Sequence, residues 1–150
     1  MKVRIPRGFK IFLVVLGWST SSAAFALATI FQGQLLPRNI NGGGLYADVT
    51  NGDPLVLLLF YGGSFAISIL AALVISDVGV SLASFFSSYI GTGLITYFVL
   101  GLPDLFGVYD PLGVIQGSAV TFTFTALFPL LLFVSLAGTV VGMALAERFL

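Results

Sequence analysis

The stretch from Ile115 to Leu145 is the longest apolar run in this sequence. It lies within a charge-free segment from Leu112 through Ala146 that ends at Glu147-Arg148. As a helix rising 1.5 Å per residue, about 30 residues extend roughly 45 Å, more than the hydrocarbon core of a bilayer at about 30 Å. In a chain of 150 residues, lipid is the solvent that suits such a run. Two small-residue ladders mark it: Gly113, Gly117, Thr121 and Thr125, then Gly138, Gly142 and Ala146, with Pro129 between them. At 100° per residue the ladders face directions roughly 140° apart. The pattern predicts one helix, kinked at Pro129, that grips one neighbour near its outer end and another near its inner end. A hydroxyl of Thr125 or Thr121 is expected to satisfy the carbonyl that the proline leaves free.

Composition agrees with a membrane solvent. Only 8% of residues are charged against 58% hydrophobic, with a mean hydropathy of +1.11, where soluble domains carry about 25% charged residues. A net charge of zero offers nothing to nucleic acid. The chain has no Cys and no His, which removes disulfides, thiolate and imidazole metal sites and the commonest general base. No cofactor is expected.

Three further apolar segments precede the long one. Lys2, Arg4, Arg7 and Lys10 introduce the first, Ile11 to Phe31. Its Ser19-to-Ala26 stretch resembles the end of a secretory signal peptide. Apolar character continues to Phe31, however, so a retained membrane helix is the expectation. Leu55–Ser76 and Val80–Leu102 follow, separated only around Asp77-Val78-Gly79, too short a break for anything but a tight hairpin with Asp77 capping the later helix. The predicted fold is therefore all-α, a single bundle of four transmembrane helices at about 11–31, 55–76, 80–102 and 115–145. Outer loops are expected at about 32–54 and 103–114. In the first loop, Leu45 to Thr50 reads as a short strand with Asn51-Gly52 as its turn. In the second, Leu105, Phe106, Val108, Tyr109 and Leu112 suit the headgroup region.

Lys2, Arg4, Arg7, Lys10 and Arg148 all fall on the side of the two termini, and only Arg38 falls opposite. The positive-inside bias predicts a multi-pass protein of the cell membrane with both termini cytoplasmic. Asp48, Asp53, Asp104 and Asp110 then lie outside. They are read as turn caps, because their spacing matches no ligand-dense calcium loop, and no metal site is predicted.

Small residues recur every four positions elsewhere too: Thr20, Ala24 and Ala28; Ser64, Ser68, Ala72 and Ser76; Ser84, Ser88, Thr92 and Thr96, with Ala83, Ser87 and Gly91 alongside. Such faces let helices approach closely and let hydroxyls bond across them or back to their own carbonyls. The predicted interface residues are thus Ser64, Ser68, Ala72, Ser84, Ser88, Gly91, Thr92, Gly113, Gly117, Thr121, Thr125, Gly138, Gly142 and Ala146. No Asp, Glu, Lys or Arg lies inside a predicted helix, whereas pumps and proton-coupled carriers use one. No catalytic group is predicted: the lysines sit in the basic tail, and no base stands beside any serine. The functional expectation is a non-catalytic membrane subunit, embedded in the bilayer and packed against other transmembrane subunits or copies of itself. The alternative is a small homo-oligomeric channel or carrier.

Overall fold

In a computed structural model, residues 6–40, 44–47 and 49–149 are described. Their order is α1 (Arg7–Phe31), β1 (Pro37–Ile40), β2 (Gly44–Ala47), α2 (Pro54–Ile75), α3 (Val78–Leu105), α4 (Val114–Leu127) and α5 (Leu130–Phe149). Helices α1, α2, α3 and α5 are long and apolar enough to cross a membrane, while α4 is a shorter apolar helix. These spans fit a multi-pass membrane protein.

Local chemistry sets the boundaries. Asp53 accepts the Leu55 N–H at 2.8 Å, and Pro54 starts α2 where its missing N–H costs nothing. Helix α2 stops at Ser76, which takes a left-handed conformation (φ 57°). Asp77 then caps α3 by accepting the Val80 N–H at 3.0 Å. It also receives Arg7 Nη2 at 3.0 Å, which ties the start of α1 to the α2–α3 turn. The Val80 N–H, and after it Arg7, hold the Asp77 carboxyl below its ordinary pKa of 3.8.

Helix α1 packs between α2 and α3, the other flank of α2 carries α5, and α4 lies along α3. Buried positions are mostly small or hydroxylic: Ser64, Ser68 and Ala72 on α2, and Ser84, Ser88, Thr92 and Thr96 on α3. Large apolar side chains point the other way, as Phe86, Ile90, Leu94 and Phe98 do along α3. Lipid tails solvate those side chains as well as a protein core does, so close backbone packing claims the small ones. Larger side chains fill two pockets of core, one around Phe60, Leu127 and Leu131 and one around Trp18 and Phe85.

Three expectations need correction. First, the helix predicted over 115–145 is two helices. Pro129 donates no N–H, and Phe128 before it is extended (φ −123°, ψ 140°), the conformation favoured for residues that precede proline. The result is a break in place of a kink. Second, Thr20, Ala24 and Ala28 are exposed, and α1 buries Ser19, Ser22, Ala23, Ala26 and Thr29. Two overlapping small-residue stripes run along α1, and Trp18 places the inward face beside the second of them. Third, the strand of the first loop ends at Ala47 and pairs back antiparallel onto Pro37–Ile40. Asn51-Gly52 is not its turn. Gly52 lies where a Cβ would come within 2.6 Å of Leu57 and 2.8 Å of Gln34, and Gln34 Oε1 accepts the Asp53 N–H at 2.8 Å. That glycine serves the approach to α2. Residues 41–43, and Asp48, lie outside the described residues.

Candidate intramembrane interface

The break between α4 and α5 falls against the middle of α3. Leu127, the last residue of α4, offers its carbonyl to the Tyr89 hydroxyl at 2.6 Å. Its side chain also lies 3.3 Å from where a Cβ on Gly93 would stand. The first hydrogen bond into α5 is the Phe133 N–H to the Pro129 carbonyl, at 3.3 Å. Backbone freed inside a membrane has no water to turn to, so the Tyr89 contact has structural weight. The threonines do not play the part expected of them. Thr125 donates back to the Thr121 carbonyl at 2.9 Å, and Thr121 to that of Gly117 at 2.9 Å. The Leu127 carbonyl at the end of α4 is capped from another helix, a contact that periodicity along one helix does not reveal.

Helix α4 has 14 residues, about 21 Å of length. Asp110 accepts the Val114 and Ile115 N–H groups at its start, and Gln116 donates to Asp104 across the loop. The inward side of α4 buries Ala119, Thr123, Ala126 and Leu127. Its outward side carries Gly113, Gly117, Val120 and Phe124, all exposed. Nothing lies within 4 Å of a Cβ built on Gly113 or Gly117. Beside this stripe, between α3 and α4, runs an apolar groove of about 450 Å³, lined by Tyr89, Tyr97, Val120, Thr123, Phe124 and their neighbours. Thr123 is only 9% exposed, and its hydroxyl has no hydrogen-bond partner among the described residues.

The inner ladder has a different setting. Gly138, Gly142 and Ala146 are buried, and α5 closes on α2 through them. A Cβ on Gly138 would stand 2.6 Å from the Phe65 carbonyl oxygen and 3.0 Å from Ser68 Cβ. One on Gly142 would stand 2.6 Å from the Ile69 carbonyl oxygen and 2.8 Å from Ala72 Cβ. Between α1 and α3, a Cβ on Gly91 would meet Ser19 Oγ at 2.6 Å. Here the hydroxyls work across helices: Ser19 Oγ reaches the Ser88 carbonyl at 3.2 Å, and Thr92 Oγ1 reaches the Ser19 carbonyl at 3.3 Å. The predicted interface residues therefore divide. Ser64, Ser68, Ala72, Ser84, Ser88, Gly91, Thr92, Gly138, Gly142 and Ala146 meet helices of the same chain, and Gly113 and Gly117 meet none among the described residues. Thr121 is half-buried beside them, and Thr125 is buried.

Most interior hydroxyls are satisfied by the carbonyl one turn back, as in Ser64 to Phe60, Ser68 to Ser64, Thr96 to Thr92 and Thr139 to Ser135, at 2.7–2.8 Å. At the centre, Trp18, Ser22, Ser88, Thr92 and Ser135 enclose about 10 Å³, at most the room of one water molecule. Among the described residues, no three of His, Cys, Asp and Glu stand close enough together to hold a metal ion. Asp53 and Asp110 are engaged as helix caps. No family model matches the chain, and no curated protein or solved structure is similar to it.

Proposed function

We propose that the chain is a non-catalytic subunit of a larger membrane assembly, and that a transmembrane helix of a partner protein lies against the outward face of α4. The cell membrane, with both termini cytoplasmic, is its proposed location. The outward stripe of α4 carries the reading: no described atom lies within 4 Å of a Cβ built on Gly113 or Gly117, and Val120 and Phe124 beside them line an apolar groove of about 450 Å³. In lipid, glycines on an uncovered face let a second helix backbone come close. The interior supports the same reading. Most of its hydroxyls are bonded to its own carbonyls, Ser81 and Thr123 excepted, and about 10 Å³ at the centre is no path for a solute.

One observation favours a small homo-oligomeric carrier instead. The α4–α5 break faces the midpoint of α3, and discontinuous helices mark substrate sites in transporters. A photo-crosslinking residue at Val120 separates the two readings. In native membranes it is expected to give one discrete adduct with a different protein, absent when the probe is moved to lipid-facing Leu58. Gly117→Phe should weaken that adduct while the chain's own stability holds. An adduct of twice the chain's mass would replace the subunit reading with the homo-oligomeric one, and labelling of lipid alone would remove both.

A further inference from the structure

A second groove, on the opposite flank of the molecule, lies between α1 and α2. Its membrane-buried part holds about 250 Å³ between Val14, Gly17, Trp18 and Ser21 on one side and Ile67 and Val74 on the other. Its mouth, about 200 Å³, is lined by Arg7, Lys10, Ile11, Val14, Val74 and Ile75. Val14 and Val74 line both parts, so the two adjoin as one trough along α1 and α2. Gly17 keeps it open, since nothing lies within 4 Å of a Cβ built there. The trough is apolar along its length and cationic at its end.

We infer that this trough binds one anionic phospholipid, with its phosphate at Arg7 and Lys10 and an acyl chain laid along Val14, Gly17 and Val74. The dimensions fit. Lys10 to Ser21 rises about 16 Å along α1, roughly one leaflet of a hydrocarbon core about 30 Å thick. The charge also fits. Arg7 offers five N–H donors on a planar fork, and Asp77 engages one amino group of it, at 3.0 Å. That contact orients the guanidinium and leaves the remaining donors for phosphate oxygens. Lys10 adds a second cation one helical turn on. Basic clusters at the ends of membrane helices attract acidic headgroups, and here an apolar channel of one leaflet's depth continues from the cluster. The site is independent of any partner on α4.

Native mass spectrometry of the delipidated full-length chain in mild detergent tests this, with phosphatidylglycerol and phosphatidylcholine of identical acyl chains as probes. One phosphatidylglycerol per chain should be retained in preference to phosphatidylcholine. Arg7→Gln with Lys10→Gln should lower phosphatidylglycerol retention about tenfold, down to the phosphatidylcholine level. Gly17→Phe, which fills the trough and leaves both cations in place, should lower it as well, with thermal melting showing that the variant is folded. Equal retention of the two lipids, or phosphatidylglycerol retention untouched by either variant, would overturn the inference. So would displacement of the lipid by glycerol phosphate at equal concentration, because that would place the whole affinity in the cations and none in the trough.

Discussion

Replacing Gly142 by alanine tests whether the α2–α5 contact is as tight as its geometry states. The added methyl would stand 2.6 Å from the Ile69 carbonyl oxygen, 2.8 Å from Ala72 Cβ and 3.0 Å from Ile69 Cα. Two of these atoms belong to the α2 backbone, which has no rotamer to change. Ordinary contact begins near 3.4 Å, so the helices must separate by about 0.8 Å over that turn. Overpacking of this kind costs about 1–3 kcal/mol. Gly138 lies one turn away, with its own Cβ position 2.6 Å from the Phe65 oxygen. Separation forced at one glycine relieves the other, so the double alanine variant should cost less than the sum of the singles. The assay is reversible unfolding in mixed micelles of mild detergent and sodium dodecyl sulfate, read by circular dichroism. Gly62→Ala is the control. It is also a helical glycine, but nothing lies within 4 Å of its added Cβ, and it should leave stability unchanged or raise it by up to about 1 kcal/mol. If Gly142→Ala behaved like Gly62→Ala, the close α2–α5 approach, and the reason for glycine there, would be wrong.

Other consequences are open to direct measurement. Tyr89→Phe removes the donor to the Leu127 carbonyl and leaves that group unpaired at the helix break. A loss of about 1–3 kcal/mol is expected in the same micelle assay, and an unchanged midpoint would show that the carbonyl is satisfied some other way. The Asp77 carboxyl titrates below its ordinary 3.8, so its contribution is complete above that pH and fades as acidification carries the pH down through the lowered value. Thermal melts of the wild type should therefore fall more steeply below about pH 4 than those of Asp77→Asn, and parallel curves would disconnect the α2–α3 turn from acid sensitivity. The chain lacks cysteine, so single cysteines report topology without background. One at Asn41 should react with an impermeant maleimide on intact cells and one at Gly79 should not. The reverse result would invert the proposed orientation.

The amino-acid sequence alone determined the solvent and the outline. Charge-free runs of membrane length, the tight turn at Asp77, and the caps at Asp53 and Asp77 are local or compositional, so they can be read without knowing what touches what. The glycines at 138 and 142 were legible as contact points for the same reason: no local turn requires them within an apolar helix. Tertiary structure decided three things. It turned the expected kink at Pro129 into a full break: Phe128 is extended, and Tyr89 of α3 donates to the Leu127 carbonyl beside it. It selected Ser19, Ser22, Ala23 and Ala26 over Thr20, Ala24 and Ala28 as the inward stripe of α1, since two equally small stripes are equivalent until a neighbour arrives. It also left Gly113 and Gly117 of the outer ladder uncovered among the described residues, while burying Thr125 and the inner ladder of α5. In lipid, where apolar side chains gain little by leaving the solvent, small residues mark where a helix can be approached. Only the packing of the whole chain shows which of those approaches its own helices have already used.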